Sequence, residues 1–460
     1  MPTVSNLAEL YAVRAVLDGD WKQTADIDMA EAMNAATWSA QAYDAGTWIK
    51  YATDGKTYLA CSDTAADDVP GVGEPWEAMW ITAEGWLPIG TPIDPFTGVY
   101  DGGGFNISNL FCYRTGTNAQ GLFGGNTGII RDVHLPDASV RGNSQNGSVC
   151  GFLVDVNSVL EDCSSSGDVC STANGAGGIV GICIGIVNRC VAAVDVTISG
   201  NSVGGVAGYF TGIIQNCCAT GSVTTTVGSG QYTGGVCGCS SGGTILRSSA
   251  TGNVTGASTG QKVGGVVGQS SGTVQECWAS GDVIGYDKVG GIVGDNSSAG
   301  ICTQSYATGN VLSTHQMGGG GVGNNASFAT ITDCYSRGNV GGATTYHGGF
   351  VGYSYGALTR CFSTGTSSRG GFGGGGSSEH LVVTDCYWDQ ESSFRANDQI
   401  GATGVELTAT MKLQSTFNNW SFASIWSVNA GRNDGYPNLL TFFGGPRIFG
   451  AGLGYRIIGG

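Results

Sequence analysis

Apolar and polar positions alternate along this chain in short runs that return at a regular interval. The stretch from Gly264 to Val283 shows one interval: a Gly-Gly-Val-Val-Gly block, a polar turn, the extended run Thr273–Trp278 and a closing Gly-Asp-Val phrase. Each apolar run is a few residues long and rich in β-branched residues, and none continues at helical period. The pattern therefore predicts three short β-strands per repeat, separated by turns of Gly, Ser, Asn and Asp.

Two columns of residues keep this interval through most of the chain. The Gly-Gly-apolar block begins at Gly177, Gly204, Gly234, Gly264, Gly290, Gly320, Gly348 and Gly370. A second column, at steps of 25 to 31 residues, runs through Cys163, Cys190, Cys217, Ser248, Cys277, Ser305, Cys334, Cys361 and Cys386. One repeat cannot bury its apolar face alone, but repeats stacked about 4.8 Å apart can.

We therefore predict an all-β fold, a parallel β-helix (β-solenoid) of about ten glycine-rich coils, with a short N-terminal helix cap and a C-terminal cap. The paired glycines are expected at coil corners, where they allow a positive φ and close approach of backbones.

The repeat resembles a known family. Gly-Gly-Ile-Val-Gly at Gly290, followed by Tyr-Ala-Thr-Gly-Asn-Val at Tyr306, is similar to the GLUG-motif repeat, and the resemblance covers roughly Trp86 to Trp388. That repeat builds β-helical stalks in bacterial surface proteins, in some secreted IgA-cleaving metallopeptidases and in some phage structural proteins. The resemblance implies a β-helix of the surface or phage structural type. The peptidase activity is not carried over, because the sequence has no His-Glu-x-x-His motif.

The resemblance and the local patterns divide the chain into five parts. Residues 1–30 are predicted to be an N-terminal cap with a helix and a first strand, 31–85 an aromatic-rich insertion with a hairpin around Asp54-Gly55, and 86–395 the GLUG-type β-solenoid. Residues 396–443 form a C-terminal cap, and 444–460 a Gly-rich C-terminal arm that either packs on a partner or frays. In the C-terminal cap, Met411 and Leu413 are expected to begin a short helical turn and Tyr436-Pro437 to close the cap. Its apolar anchors are expected to be Phe417, Trp420, Phe422 and Trp426.

Charge and composition exclude several functional classes. The net charge of −16 argues against binding to nucleic acid, which needs a basic face. No run of 18 apolar residues is present, so no membrane insertion is expected. Met1 leads straight towards the predicted helix without the pattern of a signal peptide, which favours assembly in the cytoplasm. The histidines are far apart and Cys237-Gly238-Cys239 is not Cys-x-x-Cys, so no metal or other cofactor is predicted.

Sixteen cysteines are many for a cytosolic protein. Mates in the cysteine column are predicted to form a buried ladder of free thiols, because directly stacked parallel neighbours hold their Cβ vectors parallel and would strain a bridge. The better candidates for disulfides are the off-column cysteines Cys170, Cys183, Cys218, Cys237 and Cys239.

Two groups of aromatic residues are candidates for binding. The position after the cysteine column is occupied in the later coils by Trp278, Tyr306, Tyr335, Phe362 and Tyr387. If the cysteines point inward, alternation points these rings outward as a platform for carbohydrate, and if the cysteines point outward the rings are core. The insertion contains Trp38, Trp48, Trp76 and Trp80, which form either a docking or glycan-binding module or a core of their own.

A column of charged residues is the candidate for catalysis. Asp162, Glu276, Asp333 and Asp385 share it, and a retaining glycosidase needs two acids about 5 Å apart. The same column holds Arg189, Arg247 and Arg360, which favours a solvated ladder of ion pairs and no catalytic site.

We therefore predict a non-enzymatic structural and binding protein, a phage virion component such as a fibre, spike, or capsid or neck decoration. The alternatives are a bacterial cell-surface adhesin and a polysaccharide-active β-helix enzyme. The expected location is the virion, or otherwise the cell surface. Expected partners are other virion or cell-surface proteins, further copies of the chain in a homo-oligomer, and glycans.

Overall fold

The computed structural model describes residues 1–30, 36–37, 48–50, 57–60, 76–79, 85–227, 231–342, 345–377 and 379–442, with the backbone alone for the four stretches between 36 and 79. These residues form an all-β parallel β-solenoid of about ten coils, which confirms the predicted fold class. Successive coils add strands in register to four sheets, named sheets I to IV below.

The strand bounds follow the repeat. Sheet I has thirteen strands: Thr3–Val4, Trp21–Gln23, Val99–Asp101, Ile129–Arg131, Val159–Glu161, Ile186–Asn188, Ile213–Gln215, Thr244–Leu246, Thr273–Gln275, Ile301–Thr303, Thr330–Thr332, Ala357–Thr359 and Val382–Thr384. Sheet II has seventeen: Phe111–Arg114, His134–Gly142, Ser164–Ser171, Val191–Ile198, Cys218–Ala219, Val223–Thr225, Ser249–Ala250, Val254–Thr255, Trp278–Ala279, Val283–Gly285, Tyr306–Ala307, Val311–Ser313, Tyr335–Ser336, Val340–Gly341, Phe362–Ser363, Tyr387–Asp389 and Gly404–Glu406.

Sheet III has nine strands: Phe123–Asn126, Cys150–Leu153, Val180–Cys183, Ala207–Phe210, Cys237–Ser240, Val267–Ser270, Val293–Asn296, Val322–Asn325 and Val351–Ser354. Sheet IV has seven: Ala176–Gly177, Val203–Gly204, Tyr232–Gly234, Lys262–Gly264, Val289–Gly290, Met317–Gly319 and Tyr346–Gly348. A typical coil therefore passes from sheet I through two strands of sheet II to sheet IV and sheet III, giving five short strands where the sequence predicted three.

The corner between sheets I and II breaks the run Thr273–Trp278 that the sequence predicted as one extended segment. One residue per coil there has a φ between 46° and 55°: Asp162, Arg189, Asn216, Arg247, Glu276, Gln304, Asp333, Arg360 and Asp385. A left-handed residue turns the chain sharply, and Asp and Asn adopt this conformation more readily than most residues. The charged column of the sequence is thus the column of corner residues.

The paired glycines serve one of their two predicted purposes, the close approach of backbones. Gly264 and Gly265 are not among the positive-φ residues, so the predicted positive φ is not found there. Close approach of backbones explains them. A Cβ on Gly264 would lie 2.0 Å from the carbonyl oxygen of Val267, and a Cβ on Gly268 would lie 2.7 Å from the amide nitrogen of Thr233. The Gly-Gly-x-x-Gly block therefore folds as an arch that lays sheet IV directly against sheet III.

Two apolar cores fill the coils. The larger lies among sheets I, II and III and contains the inward-facing Val267, Val274 and Cys277. A smaller core, between sheets II and IV, consists of Val254, Val263, Val283, Val289, Val311 and Val340. The β-branched residues of the repeat thus supply both cores, as their preference for sheets predicts.

The N-terminal segment covers the first coil. The helix Leu7–Ala12 continues as the 3₁₀ turn Val13–Ala15, and Leu7 and Leu10 are buried. Asn6 caps the helix by accepting the amide of Glu9 at 2.9 Å. The strand Ile27–Asp28 then pairs with Ile107–Ser108.

The insertion is described as four strands: Ala36–Thr37, Trp48–Lys50, Thr57–Ala60 and Trp76–Met79. Trp48–Lys50 and Thr57–Ala60 pair antiparallel, which confirms the hairpin pairing, although its turn lies outside the described residues. Trp38, Trp80 and the side chains of Trp48 and Trp76 also lie outside the described residues, as does the arm 444–460.

The C-terminal segment after the last coil begins with the helix Gln390–Ser393. A two-stranded sheet, Trp426–Val428 with Pro437–Leu439, follows. The remaining turns are the 3₁₀ elements Thr410–Lys412, Gln414–Thr416, Asn433–Gly435 and Leu440–Phe442.

Candidate functional site

The aromatic column points away from the coil interior. Cys277, Cys334, Cys361 and Cys386 are inaccessible to solvent and lie in the main core, so the ring that follows each faces outward. The rings stack along the solenoid, with centroids 4.8 Å apart for Tyr306 and Tyr335 and 4.9 Å apart for Tyr335 and Phe362. The alternative that these residues belong to the coil core is therefore wrong.

The column is nevertheless not an open platform, because the C-terminal segment folds back along the side of the solenoid. Tyr335, Phe362 and Tyr387 are at most 3% exposed beneath a cluster that includes Met411, Phe417, Trp420, Trp426, Tyr436 and Leu439. We call this cluster the buttress. Phe442 lies edge-on to Tyr306 at 5.0 Å, and only Trp278 and Tyr306 remain half-buried.

Polar contacts hold the buttress in place. Trp420 donates its indole N–H to the carbonyl of Asp385 at 3.0 Å, and Tyr436 donates its hydroxyl to the buried carboxylate of Asp389 at 2.5 Å. Burial beside Asp389 raises the pKa of Tyr436 to about 12. Met411 lies in the 3₁₀ turn Thr410–Lys412 and is buried, whereas Leu413, directly after it, is 54% exposed.

The described cysteines all carry free thiols, and every one of them except Cys170 is buried. The predicted thiol ladder is confirmed: the thiol of Cys190 contacts those of its column mates Cys163 and Cys217, and the thiol of Cys361 contacts those of Cys334 and Cys386. Burial raises the pKa of Cys277 to about 12, so these thiols are held neutral.

None of the candidate disulfides is formed. Cys183 and Cys237 are inaccessible in the main core. Cys170 is partly exposed, Cys218 is buried, and Cys239 is 8% exposed with a pKa that burial raises to about 11. None of these cysteines has another cysteine as its register partner on the neighbouring strands. The register partners of Cys239, for example, are Tyr209 and Gln269.

The carboxylates of the corner column are paired with arginine. Arg189 forms a bidentate pair with Asp162, with two N–O distances of 2.6 Å, and Arg360 does the same with Asp333 at 2.8 and 2.7 Å. Arg247 lies 3.9 Å from Glu276. Nδ2 of the Asn419 side chain donates a hydrogen bond to Oδ2 of Asp385 at 3.1 Å. This confirms the ladder of ion pairs at the corner.

A strip of side chains that the sequence analysis missed lies along the mouth of the glycine arch. In each coil the strip consists of two residues: the one two positions before the first glycine of the arch, and the one directly after the last glycine of the arch. These residues are seven positions apart, and side-chain contacts across the mouth join Lys262 to Gln269, Lys288 to Asp295 and Tyr346 to Tyr353. Tyr232/Cys239 and Met317/Asn324 occupy the same positions in their coils. We call this strip the arch seam. Its spacing from the glycines is constant, and that is the signal by which the sequence could have revealed it.

The centre of the arch seam is charged and its ends are aromatic. Asp295, with a side chain 7% exposed, lies 3.6 Å from Nζ of Lys262 and 3.3 Å from Nζ of Lys288. Nζ of Lys262 also donates to Oε1 of Gln269 at 3.1 Å and lies 4.8 Å from the ring centroid of Tyr232. At the other end Tyr346 and Tyr353 pack edge to face with centroids 4.7 Å apart.

The described part of the chain contains neither a cluster of metal ligands nor a membrane-spanning helix. No group of three or more His, Cys, Asp or Glu side chains there could hold a metal ion. Among the helices of the described residues, none has the length and apolar character needed to cross a membrane.

The similarities of the chain to known proteins are partial or distant. No family model matches it. A stretch of 110 residues is 36% identical to halomucin of Haloquadratum walsbyi, which is 23% of this chain and 1% of that protein, so the chain spans a very small part of that relative. A solved structure from Bacteroides ovatus, named an immunoglobulin A1 protease, aligns over 95% of this chain and 92% of its own at 18% identity, with a TM-score of 0.33.

Proposed function

We propose that this chain is a non-enzymatic structural and binding protein, a virion component in which the solenoid acts as a rigid scaffold. The observation that supports this most is the buttress. It packs against the aromatic column of the later coils and ties four successive coils, from Tyr306 to Tyr387, to one C-terminal segment. The resemblance to the GLUG-motif repeat, in stalks of surface and phage proteins, points in the same direction.

The state of the cysteines supports a virion over a bacterial surface adhesin. The described cysteines are free and nearly all buried. A reducing cytoplasm, where virions are assembled, keeps thiols in this state, whereas export exposes them to oxidising conditions. The corner carboxylates support a non-enzymatic role, because Asp162 and Asp333 each hold an arginine.

Fractionation of the native source tests the proposal. Particles and cell envelopes are separated on a density gradient under non-reducing conditions, and peptides of this chain are followed by mass spectrometry. We expect the chain in the particle fraction with unlinked cysteine peptides. Recovery in the envelope fraction instead would favour the adhesin, and release of sugars from a bacterial polysaccharide by the purified chain would favour the polysaccharide-active enzyme.

A further inference from the structure

We propose that the C-terminal arm, residues 444–460, packs on the outer face of sheet II over Trp278, Ile284 and Leu312. This inference goes beyond the scaffold role and does not depend on where the chain is assembled. It rests on the direction in which the C-terminal segment follows the aromatic column, on an apolar surface that lies next in that direction, and on the composition of the arm.

The C-terminal segment that carries the buttress follows the aromatic column towards the N-terminal coils. The ring centroid of Phe417 lies 5.2 Å from that of Tyr387 in the last coil. Later in the same segment, the ring centroid of Phe442 lies 5.0 Å from that of Tyr306. The next ring of the column in that direction is Trp278, which stacks on Tyr306 with centroids 5.9 Å apart. Continuation of the segment along the column therefore leads to Trp278.

Trp278 belongs to an apolar surface that the described residues leave open. Its side chain is half-buried, and Ile284, which faces outward from the second strand of sheet II in the same coil, is 40% exposed. Leu312 is the register partner of Ile284 in the following coil and is 39% exposed. The same position holds Thr255 one coil earlier and Gly341 one coil later. Two adjacent coils thus present an aliphatic pair that a covering segment would remove from water.

The arm has the composition and the reach to cover this surface. Trp278 lies one coil, about 4.8 Å, beyond Tyr306. An extended chain advances about 3.3 Å per residue, so a few residues after Phe442 are enough to reach it. The apolar residues of the arm are Ile448, Phe449, Leu453, Tyr455, Ile457 and Ile458.

The charge of the arm complements a carboxylate within the surface. Asp282 is exposed in the turn between the two strands of sheet II in the coil of Trp278. It accepts the backbone amide of Asn310 at 2.8 Å and has no ion pair among the described residues. The arm carries Arg447 and Arg456 and no acidic residue, so its positive charge suits this place. Attachment beside the surface also gives the arm of the same chain a high effective concentration there.

Tryptic cleavage of the arm tests the proposal, because Arg447 and Arg456 are cleavage sites within it. The full chain is digested under native conditions, and cleavage at the two arginines is followed by mass spectrometry. We expect Trp278→Ala and Ile284→Asn each to speed this cleavage about tenfold, because each weakens the docked state and the protease cuts the open form.

Phe328→Ala and Ile93→Asn are the matched controls, because they replace side chains that are 67% and 96% exposed outside sheet II. Both should be cleaved at the wild-type rate. The same rate in Trp278→Ala and Ile284→Asn would overturn the proposal. Protection of the arm that is lost on dilution of the wild-type chain would assign the surface to the arm of a second copy and would also contradict it.

Oxidative footprinting measures the same contact from the side of the solenoid. Hydroxyl radicals modify accessible side chains, and the full chain is compared with a chain truncated after Phe443. We expect modification of Trp278 to rise several-fold on truncation, whereas Tyr113, which is 45% exposed, should be modified equally in both chains. Equal modification of Trp278 in the two chains would show that the arm does not cover it. If the truncated chain fails to fold, as judged by its melting curve, the cleavage rates of the point variants decide the matter.

Discussion

Trp426 donates its indole N–H to Oδ1 of Asp333 at 2.9 Å, across 93 residues of sequence. Asp333 is a left-handed corner residue, 2% exposed, that also holds Arg360 in a bidentate ion pair. One buried carboxylate therefore links the ladder of corner residues to the buttress.

Trp426→Phe should loosen the buttress without dissolving the solenoid. It retains most of the packing but removes a hydrogen bond to a buried charge, so we expect a loss of about 1.5–3 kcal/mol in the local stability of residues 405–442. Hydrogen exchange of the amides in that segment measures this stability. Trp278→Phe, on the same aromatic column but beyond the buttress, is the control. Additive effects of Trp426→Phe and Asp333→Asn in a double-mutant cycle would contradict direct coupling.

Gly268→Ala should prevent proper stacking of the arch. The new Cβ would meet backbone atoms of Gly238 and Thr233 at 2.7 Å, and neither backbone can move without breaking the register of sheets III and IV. We expect loss of soluble protein or a marked fall in Tm. Gly116→Ala is the control, because nothing lies within 4 Å of its Cβ position. If both variants melt alike, close packing of the arch is not what requires the glycine.

Acidification should destabilise the chain through its buried histidines. Burial lowers the pKa of His347, which is inaccessible and contacts Oγ of Ser368 at 2.8 Å, and burial also lowers the pKa of His134. A lowered folded-state pKa means that the unfolded chain takes up the proton first. The stabilisation is therefore full above about pH 6.5 and is lost as the pH falls below it.

The pH effect is measured as Tm between pH 7.5 and 5. Each buried histidine contributes a slope of at most about 1.4 kcal/mol per pH unit, so His347→Gln should flatten the profile. His380→Gln, whose side chain is 35% exposed, is the control. An unchanged slope in His347→Gln would show that its protonation is not linked to folding.

Alkylation should distinguish Cys170 from the thiol ladder. Cys170 is partly exposed, whereas Cys190 and Cys361 are inaccessible and burial raises the pKa of both thiols. Since the thiolate is the reactive form, iodoacetamide should modify Cys170 first and leave the other two until the chain is unfolded. Peptide mass spectrometry follows the sites, and the denatured chain is the control. Equal rates in the native chain would be incompatible with a buried ladder.

The sequence predicted the coil and the cysteine column, because both follow from a repeat that can be seen in one chain. It left open whether the column faces inward, and the structure shows that it does. Cys277 and its mates could be placed in register from spacing alone. The sequence did not predict how the C-terminal segment would be used. Trp426 and Phe362 are both apolar, but the spacing of neither residue predicts their contact. Phe362 belongs to the repeat, whereas Trp426 belongs to a segment that has no repeat.

The arch illustrates a second limit. A glycine in a sequence fits either a positive φ or a close approach, and only the contacts of Gly268 distinguish the two. The corner residue Glu276 was expected within an extended run, because a single left-handed residue leaves no mark on hydrophobic periodicity. The ion pair of Lys288 with Asp295 was not predicted, because it depends on the arch that separates the two residues in sequence.

The reach of the buttress also bears on how such a chain can change in length. It contacts the column from Tyr306 to Tyr387, whereas the described contacts of the coils between His134 and Trp278 are with their neighbours in the stack. Duplicating or deleting one unit of 25 to 31 residues in that region would therefore lengthen or shorten the rod by about 4.8 Å and leave both ends intact. Rod length is in this respect a trait that recombination can alter in single steps, independently of the segments that terminate the fold.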